Sequence, residues 1–378
     1  MARKKFSRLQ YHDTNMTQGF SFLARWRAVL VLMAISTGVL AGYADSHGSP
    51  PLVVQAQPVQ SSSQQAQTKK GTDPQVQAVL DKMAAAGVLH PTSVEEAQRA
   101  YRFYAQFAGP PEHVFRVQDR KIDGPIGPIP IRIYASRDAD RLPVFVFFHG
   151  GGFVAGDLNT EDSPLRALTN RCDCLIVSVS YRLAPQFHYP AATEDAYAAT
   201  MWVADHAAEI NADPERIAVG GEGAGGNLAA VVILMARDRH GPHLTYQVLI
   251  SPILDAMVTT YSWVQSADPT LTTEAMVAKW AVYVPPNADQ QHPYVSPMNE
   301  KNLQDLPPAL LIAGSSDPIR DEVQEYAREL SDSGVQVRLV RYPNMIHGFF
   351  LMAGELDASK QAIDTVGNSL KQAFYHQE

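Results

Sequence analysis

Two kinds of hydrophobic pattern follow one another along the chain, and the first is helical. Between residues 74 and 107, apolar residues recur three and four positions apart, a spacing typical of helices with one buried face. The pattern predicts two helices, at 74–87 and 93–107. One face of the first helix carries four apolar residues: Val76, Val79, Leu80 and Met83.

The second pattern consists of eight apolar runs that have the composition of β-strands. These runs cover 114–122, 129–134, 144–148, 175–181, 217–219, 247–250, 309–313 and 335–340. The first two are joined across residues 124–127 and predict a hairpin. The later runs are nearly continuous apolar stretches that alternate with helical segments, which is typical of a parallel sheet buried on both faces. We therefore predict an α/β fold with a mostly parallel eight-stranded sheet flanked by helices.

Residues 255–297 interrupt this alternation. The segment is irregular apart from a helical piece around residues 273–282. Because ligands bind beyond the carboxyl edge of open α/β sheets, we expect this insert to fold over that edge.

The N-terminal region has the pattern of an export signal. Arg25 and Arg27 precede an apolar core at residues 28–42, and small residues follow it. We predict a signal peptide at residues 1–44, cleaved after Ala44, and a periplasmic or secreted protein with no stable membrane span after cleavage. An uncleaved anchor and a start at Met16 remain open alternatives.

Residues 45–72 are rich in Gln, Ser, Pro and Gly and contain hardly any large apolar residue. Such a composition buries too little apolar surface to fold, so we predict a flexible linker there. The folded domain is expected to span residues 73–378.

Composition narrows the classes of function. The 378 residues are 46% hydrophobic and carry a net charge of −8, so nothing favours a nucleic-acid partner. Cys172 and Cys174 are the two cysteines, and strand geometry there would hold their Cα atoms near the upper limit for bridging, so we predict no disulfide. No zinc spacing accompanies them, and the only glycine cluster of dinucleotide type lacks an acidic ribose partner. No metal and no cofactor are expected.

Directly after the third strand run stands the motif HGGGF, at residues 149–153. Its glycines leave backbone N–H groups unobstructed, so that they can point at an oxyanion that develops during acyl transfer. Gly151 and Gly152 are the predicted donors.

The fifth strand run is followed by GEGAGGNLAA, which fits the strand, sharp turn and helix of a nucleophile elbow. The central position of the elbow is Gly223, and the N–H of Ala224 would complete the oxyanion hole. Asp317 and His347 follow later strand ends, in the order of elbow, acid and base expected for this fold. The acid would orient the base.

These motifs, together with YRLAPQFHYPAATEDAYAA at 181–199, resemble the bacterial hormone-sensitive-lipase family of esterases from about residue 73 to the end. The resemblance implies an α/β-hydrolase core, a lid built from the N-terminal helices and the later insert, and hydrolysis of short acyl esters by a Ser, Asp and His triad. Its oxyanion donors fall on Gly151, Gly152 and Ala224, and its acid and base on Asp317 and His347. Its serine falls on Gly223, and Gln186 stands where the family usually has Glu.

A triad without its serine loses on the order of 10⁴ to 10⁶ in rate, because no acyl-enzyme can form. Three interpretations stay open: an impaired esterase, weak hydrolysis by water with His347 as general base, and a non-catalytic binding protein for a small apolar or acyl ligand. The last has precedent in plant hormone receptors that resemble the family. We interpret Glu222, beside the elbow, as a helix N-terminal acid rather than a replacement nucleophile.

Four aromatic residues lie in or near the oxyanion loop, the insert and the base loop, and are candidates to line the cleft. They are Phe153, Trp263, Trp280 and Phe349. The expected partner is a small ester or acyl ligand, and the sequence leaves a homodimer open.

Overall fold

The computed structural model describes residues 52–56 and 72–376 of the chain. In these segments nine strands form a single sheet. They are β1 (Val53–Ala56), β2 (Arg116–Ile122), β3 (Ile129–Ala135), β4 (Leu142–Phe148), β5 (Leu175–Val179), β6 (Ala212–Glu222), β7 (Tyr246–Ile250), β8 (Ala309–Gly314) and β9 (Val337–Tyr342). The predicted signal peptide and most of the predicted linker lie outside the described residues.

The strand order across the sheet is β1-β9-β8-β7-β6-β4-β5-β3-β2. Strands β2 and β3 form the predicted antiparallel hairpin, and β3 also pairs antiparallel with β5. All other neighbours are parallel. The predicted α/β fold with a mostly parallel sheet is therefore confirmed.

Burial explains why the central strands were recognisable as continuous apolar runs. Every residue of β4, β5 and β8 is buried, since these strands are covered on both faces. In β2, at the sheet's edge, exposed and half-buried residues alternate instead. The exposed face of an edge strand has no layer to pack against, so it can carry polar side chains.

Helices flank the sheet on the described part of the chain. They are α1 (Pro74–Ala85), α2 (Val94–Tyr104), α3 (Asp162–Cys172), α4 (Ala191–Asp205), α5 (Ala224–Asp238), α6 (Ser262–Gln265), α7 (Thr273–Tyr283), α8 (Arg320–Asp332) and α9 (Asp357–Tyr375). Helix α3 packs against α9, and α4 packs against α5. The two predicted N-terminal helices and the helix predicted in the insert are confirmed as α1, α2 and α7. No helix among the described residues has both the length and the apolar character needed to cross a bilayer.

Strand β1 corrects two predictions, because it makes the sheet nine-stranded and lies within the segment predicted to be a flexible linker. It pairs in parallel with β9, with Val53 opposite Arg338. The Arg338 guanidinium also donates to Oε1 of Gln55, over 2.9 and 3.2 Å. Val53 and Val54 remain largely exposed. Backbone pairing and one polar contact hold this exposed strand, so it leaves little apolar signal in the composition.

The cysteines correct a third prediction, since Cys172 and Cys174 are joined in a disulfide. The prediction assumed that both residues lie on a strand. Instead Cys172 ends α3, and Asp173 takes a left-handed conformation with φ of +52°. This turn brings the two Cα atoms to 5.3 Å, which is within the usual range for a disulfide.

Candidate active site

The predicted nucleophile elbow lies between β6 and α5, where Gly223 is the single residue separating strand from helix. Its φ of +55° and ψ of −114° form the sharp turn. The Gly223 N–H donates to the Ile250 carbonyl over 2.9 Å, and the Gly223 carbonyl accepts from the N–H groups of Asn227 and Ile253. The turn is thus held on both sides by backbone hydrogen bonds.

The flanking glycines are required by close packing. A Cβ on Gly225 would overlap the carbonyl oxygen of Phe148, at the end of β4. A Cβ on Gly221 would overlap the backbone of both Gly225 and Phe148. Gly223, in contrast, has room for a side chain, because a Cβ there meets no atom nearer than Nε2 of His347, at 3.6 Å.

The predicted acid and base meet beside the elbow. Asp317 lies three residues beyond β8 and His347 five beyond β9, and Nδ1 of His347 is 3.1 Å from Oδ2 of Asp317. Asp317 is fully buried, and its Oδ1 accepts from the N–H of Ile319 over 3.1 Å. The ring therefore turns Nε2 toward Gly223.

A second buried acid, which sequence analysis did not identify, holds the same loop. Asp268 comes from the insert between β7 and β8, and its Oδ2 accepts from the backbone N–H of His347 over 2.7 Å. The N–H and hydroxyl of Thr270 donate to its Oδ1. Burial raises the pKa of Asp268 to about 6. Asp317 thus contacts the imidazole ring of His347, whereas Asp268 bonds only the backbone N–H of that residue.

Electrostatics at the ring favour the protonated imidazole. Burial alone would lower the pKa of His347, but the negative charges of Asp317, Glu222 and Asp268 outweigh it and raise that pKa to about 9. At neutral pH the imidazole is therefore protonated and presents an Nε2–H group to the elbow.

This shift predicts a stability effect. The folded pKa of about 9 lies above the ordinary value of 6.5, so protonation of His347 stabilises the fold below about pH 6.5. That contribution is lost as the pH rises through 9. Between pH 6 and 10, we expect the free energy of unfolding of the unmodified chain to fall by up to about 3 kcal/mol more than that of His347→Gln. Urea unfolding of both proteins measures the difference. Parallel curves for the two proteins would contradict the shift.

The glycines of the HGGGF motif form a loop at the end of β4 with positive φ at Gly151 (+103°) and Gly152 (+65°). The hydroxyl of Tyr181 donates to the His149 carbonyl over 2.7 Å, and the two rings stack at 4.2 Å. Among the described residues, no protein acceptor takes the N–H of Gly152 or of Ala224. These donors remain free for a ligand, as an oxyanion hole requires.

Beneath this loop lies a pair of buried carboxyl groups. The Tyr101 hydroxyl, from α2, donates to Oε1 of Glu161 over 2.6 Å and lies 3.4 Å from Oε2 of Glu222. Burial and the proximity of Glu222 raise the pKa of Glu161 to about 8, and burial raises the pKa of Glu222. Glu222 was predicted to be a helix N-terminal acid. It is the last residue of β6, and its carboxylate lies 3.8 Å from Nε2 of His347.

Lys279, on helix α7 of the insert, lies directly over the oxyanion loop. A Cβ on Gly152 would lie 2.5 Å from Cδ of Lys279, so the aliphatic stem of the lysine packs against this glycine. Burial lowers the pKa of the ammonium group, whereas the charge of Glu222 acts to raise it. The insert therefore covers the site, as predicted, and brings a lysine side chain to it.

Two of the four aromatic candidates contact each other, and each of the other two contacts a different residue. Phe153 stacks on Tyr283 with ring centroids 3.9 Å apart, and it contacts Trp280 at 5.2 Å. Trp263 donates its indole N–H to Glu322 over 2.6 Å. Phe349 packs against Tyr342. All four are almost fully buried, and their role as ligand contacts stays a prediction.

Sequence analysis missed the polar residues that come from outside the motifs: Tyr101, Glu161, Asp268 and Lys279. Each is a single residue with no characteristic spacing to the triad positions, so no local signal was available. Within the described part of the chain, no three His, Cys, Asp or Glu side chains are grouped so that they could hold a metal ion.

Comparison with known proteins shows the family of this chain. A family model described as the α/β-hydrolase fold matches residues 145–351, which include the oxyanion loop, the elbow, Asp317 and His347. The chain belongs to the α/β-hydrolase fold family. Among relatives in that family, the esterase LipI of Mycobacterium tuberculosis is 40% identical over 65% of this chain and 79% of its own length. The carboxylesterase NlhH of the same organism is 37% identical over 75% of this chain and 92% of its own length.

Solved structures of α/β hydrolases extend the likeness to three dimensions. The hyperthermophilic esterase from the archaeon Pyrobaculum calidifontis superimposes with a TM-score of 0.75 and 39% identity. The match covers 80% of this chain and 98% of that one. The chain therefore has a carboxylesterase-type α/β-hydrolase scaffold.

Proposed function

We propose that this chain is a carboxylic-ester hydrolase scaffold for short acyl esters in which Gly223 occupies the nucleophile position, so that hydrolysis is severely impaired. One observation carries the proposal. A Cβ at residue 223 would lie 3.6 Å from Nε2 of His347, and a hydroxyl on that carbon would fall within hydrogen-bonding reach of the ring. Only the hydroxyl is missing from an otherwise complete triad.

The groups that remain in the site determine which hydrolytic chemistry it can still perform. Without a hydroxyl at 223 no acyl-enzyme forms, and the oxyanion donors and cleft supply on the order of 10³-fold acceleration over water. Water-mediated hydrolysis is also disfavoured, because the raised pKa of His347, about 9, leaves little neutral imidazole to act as general base at neutral pH.

The second candidate function is non-catalytic binding of a small acyl ligand. The free N–H groups of Gly152 and Ala224 favour it, since both suit a ligand oxygen and neither needs turnover. For either function we propose export to the periplasm or the medium, supported by the basic and apolar pattern of residues 25–44.

The first test is hydrolysis of p-nitrophenyl butyrate by the purified chain and by its His347→Ala variant at pH 7.5. We expect both to release p-nitrophenol at the same rate, close to that of a non-specific protein control, because the imidazole has no hydroxyl to activate. Turnover by the unmodified chain that disappears with His347→Ala would refute the proposal and establish a water-based mechanism.

A further inference from the structure

Gly150, the residue before the two predicted oxyanion donors of the loop, lies directly on the buried carboxyl pair. A Cβ on Gly150 would overlap Oε2 of Glu222 and would lie 2.5 Å from the hydroxyl oxygen of Tyr101. The Gly150 N–H donates to Oε1 of Glu161 over 3.4 Å. The oxyanion loop is therefore supported from beneath by side chains that the proposed reaction does not itself use.

One short hydrogen bond orients the carboxyl group of Glu161. The Tyr101 hydroxyl donates to its Oε1 over 2.6 Å, whereas the same hydroxyl lies 3.4 Å from Glu222. The other oxygen of Glu161, Oε2, has no hydrogen-bond partner among the residues that the structure describes. Both Tyr101 and Glu161 are buried, so a polar group that loses its partner there is left unsatisfied. The Tyr101 hydroxyl thus determines where the oxygen that receives the Gly150 N–H lies.

Helix α2, which carries Tyr101, makes a second contact with the same loop. Gln98 precedes Tyr101 by three residues, and its Nε2 donates to the Val154 carbonyl over 3.0 Å. Residues three positions apart lie on one face of a helix, so a single face of α2 contacts the loop at both ends. The start of the helix is fixed separately, because the Ser93 hydroxyl accepts the N–H of Glu96 over 3.1 Å. The helix can therefore act as a support for the loop.

The loop needs such a support because of its own composition. Gly150, Gly151 and Gly152 follow one another, and the last two have positive φ. Glycine restricts its backbone angles less than any other residue does, so three in succession fix the direction of their N–H groups poorly. Oxyanion donors accelerate hydrolysis only when they point at the oxygen on which charge develops. Contacts from outside the loop must supply that precision.

We propose that Tyr101 and Glu161 are positioning residues of the oxyanion hole. The hydrogen bond between them supports Gly150 and so holds the N–H groups of Gly151 and Gly152 in the direction that ester hydrolysis requires. Helix α2 thereby controls the geometry of a site to which it contributes no reacting group. This inference rests on the proposed function, because it takes these glycines to be oxyanion donors.

Amide hydrogen exchange in the full chain with Gly223 unchanged is the first test, because it needs no turnover. Selective isotope labelling of glycine lets NMR follow the N–H groups of the loop. We expect Tyr101→Phe to make the Gly150 N–H exchange about tenfold faster, since the loss of a buried hydrogen bond and of the oxygen beneath the loop makes local opening easier. Tyr104→Phe is the matched control and should leave this exchange rate unchanged. Tyr104 is a buried tyrosine of the same helix, and its ring lies against Gly348 instead.

Steady-state kinetics on the Gly223→Ser background is the second test. We expect Tyr101→Phe and Glu161→Leu each to lower kcat for p-nitrophenyl butyrate about 10- to 100-fold and to leave KM nearly unchanged, because a displaced oxyanion donor weakens binding of the transition state. Glu161→Gln should retain most of the rate, since its amide oxygen can accept the same two hydrogen bonds. The variant with both Tyr101→Phe and Glu161→Leu should be no slower than either single one, because both changes remove the same interaction.

An unchanged exchange rate of the Gly150 N–H in Tyr101→Phe would overturn the proposal. Equal acceleration in Tyr104→Phe would also overturn it, since that result reflects a general loosening of α2, as would a loss of kcat in Glu161→Gln as large as that in Tyr101→Phe. Should Glu161→Leu fail to fold, the other two substitutions make the comparison. The exchange measurement involves no ester. An inactive Gly223→Ser variant would therefore refute the proposed function without altering the exchange result, and unchanged exchange would leave the esterase scaffold proposal intact.

Discussion

Replacing Gly223 by serine is expected to raise hydrolysis of p-nitrophenyl acetate and butyrate on the order of 10⁴-fold. The reason is geometric, because the other parts of the site are already in place. The imidazole is 3.1 Å from its acid, its free nitrogen faces residue 223 at 3.6 Å from a Cβ there, and two N–H groups are available to an oxyanion. We expect the rate to rise between pH 7 and 10, since the general base must be neutral and its pKa is about 9.

Gly223→Ala is the matched control for this gain. It adds the Cβ without the hydroxyl, so we expect it to stay as inactive as the unmodified chain. Both variants should lose stability by about 1 kcal/mol or more, because φ of +55° with ψ of −114° is strained for any residue with a Cβ. Equal activity of the serine and alanine variants would show that residue 223 is not the nucleophile position.

The parts of the site that could be predicted are those that come directly after strands. The oxyanion glycines, the elbow, Asp317 and His347 each follow an apolar run, and the carboxyl ends of parallel strands meet at one edge. Once the runs were recognised as strands of one parallel sheet, the convergence of these residues followed from topology. Their positions needed no side-chain information.

The residues that could not be predicted come from elements that cover this edge. Tyr101 lies on α2, Lys279 on α7 and Asp268 in the insert, and the packing of these elements depends on contacts distant in sequence. Nothing in the pattern of α7 distinguishes a lysine over the oxyanion loop from one in solvent. The same limit explains why the prediction of no disulfide was wrong, because the bond depends on the left-handed turn at Asp173.

On the Gly223→Ser background, Asp317→Asn is expected to lower the esterase rate by a factor on the order of 10³ to 10⁴. The carboxylate of Asp317 accepts from Nδ1 of His347 and so, in the neutral ring that acts as general base, keeps the acceptor lone pair on Nε2, where the serine hydroxyl would be. An amide can present its N–H to Nδ1 instead, which moves the ring proton to Nε2 and removes the general base. The initial rate of p-nitrophenyl butyrate hydrolysis measures this loss.

Asp268→Asn on the same background separates this role from a general effect of removing a nearby negative charge. Asp268 is also a buried acid beside His347, but it accepts from the backbone N–H and does not contact the ring. Its amide retains an oxygen for that hydrogen bond, so we expect the rate to stay within about tenfold of the parent variant. If the two substitutions reduced the rate equally, charge near the ring rather than orientation of the imidazole would be the quantity that matters, and Asp317 would not be the acid of the triad.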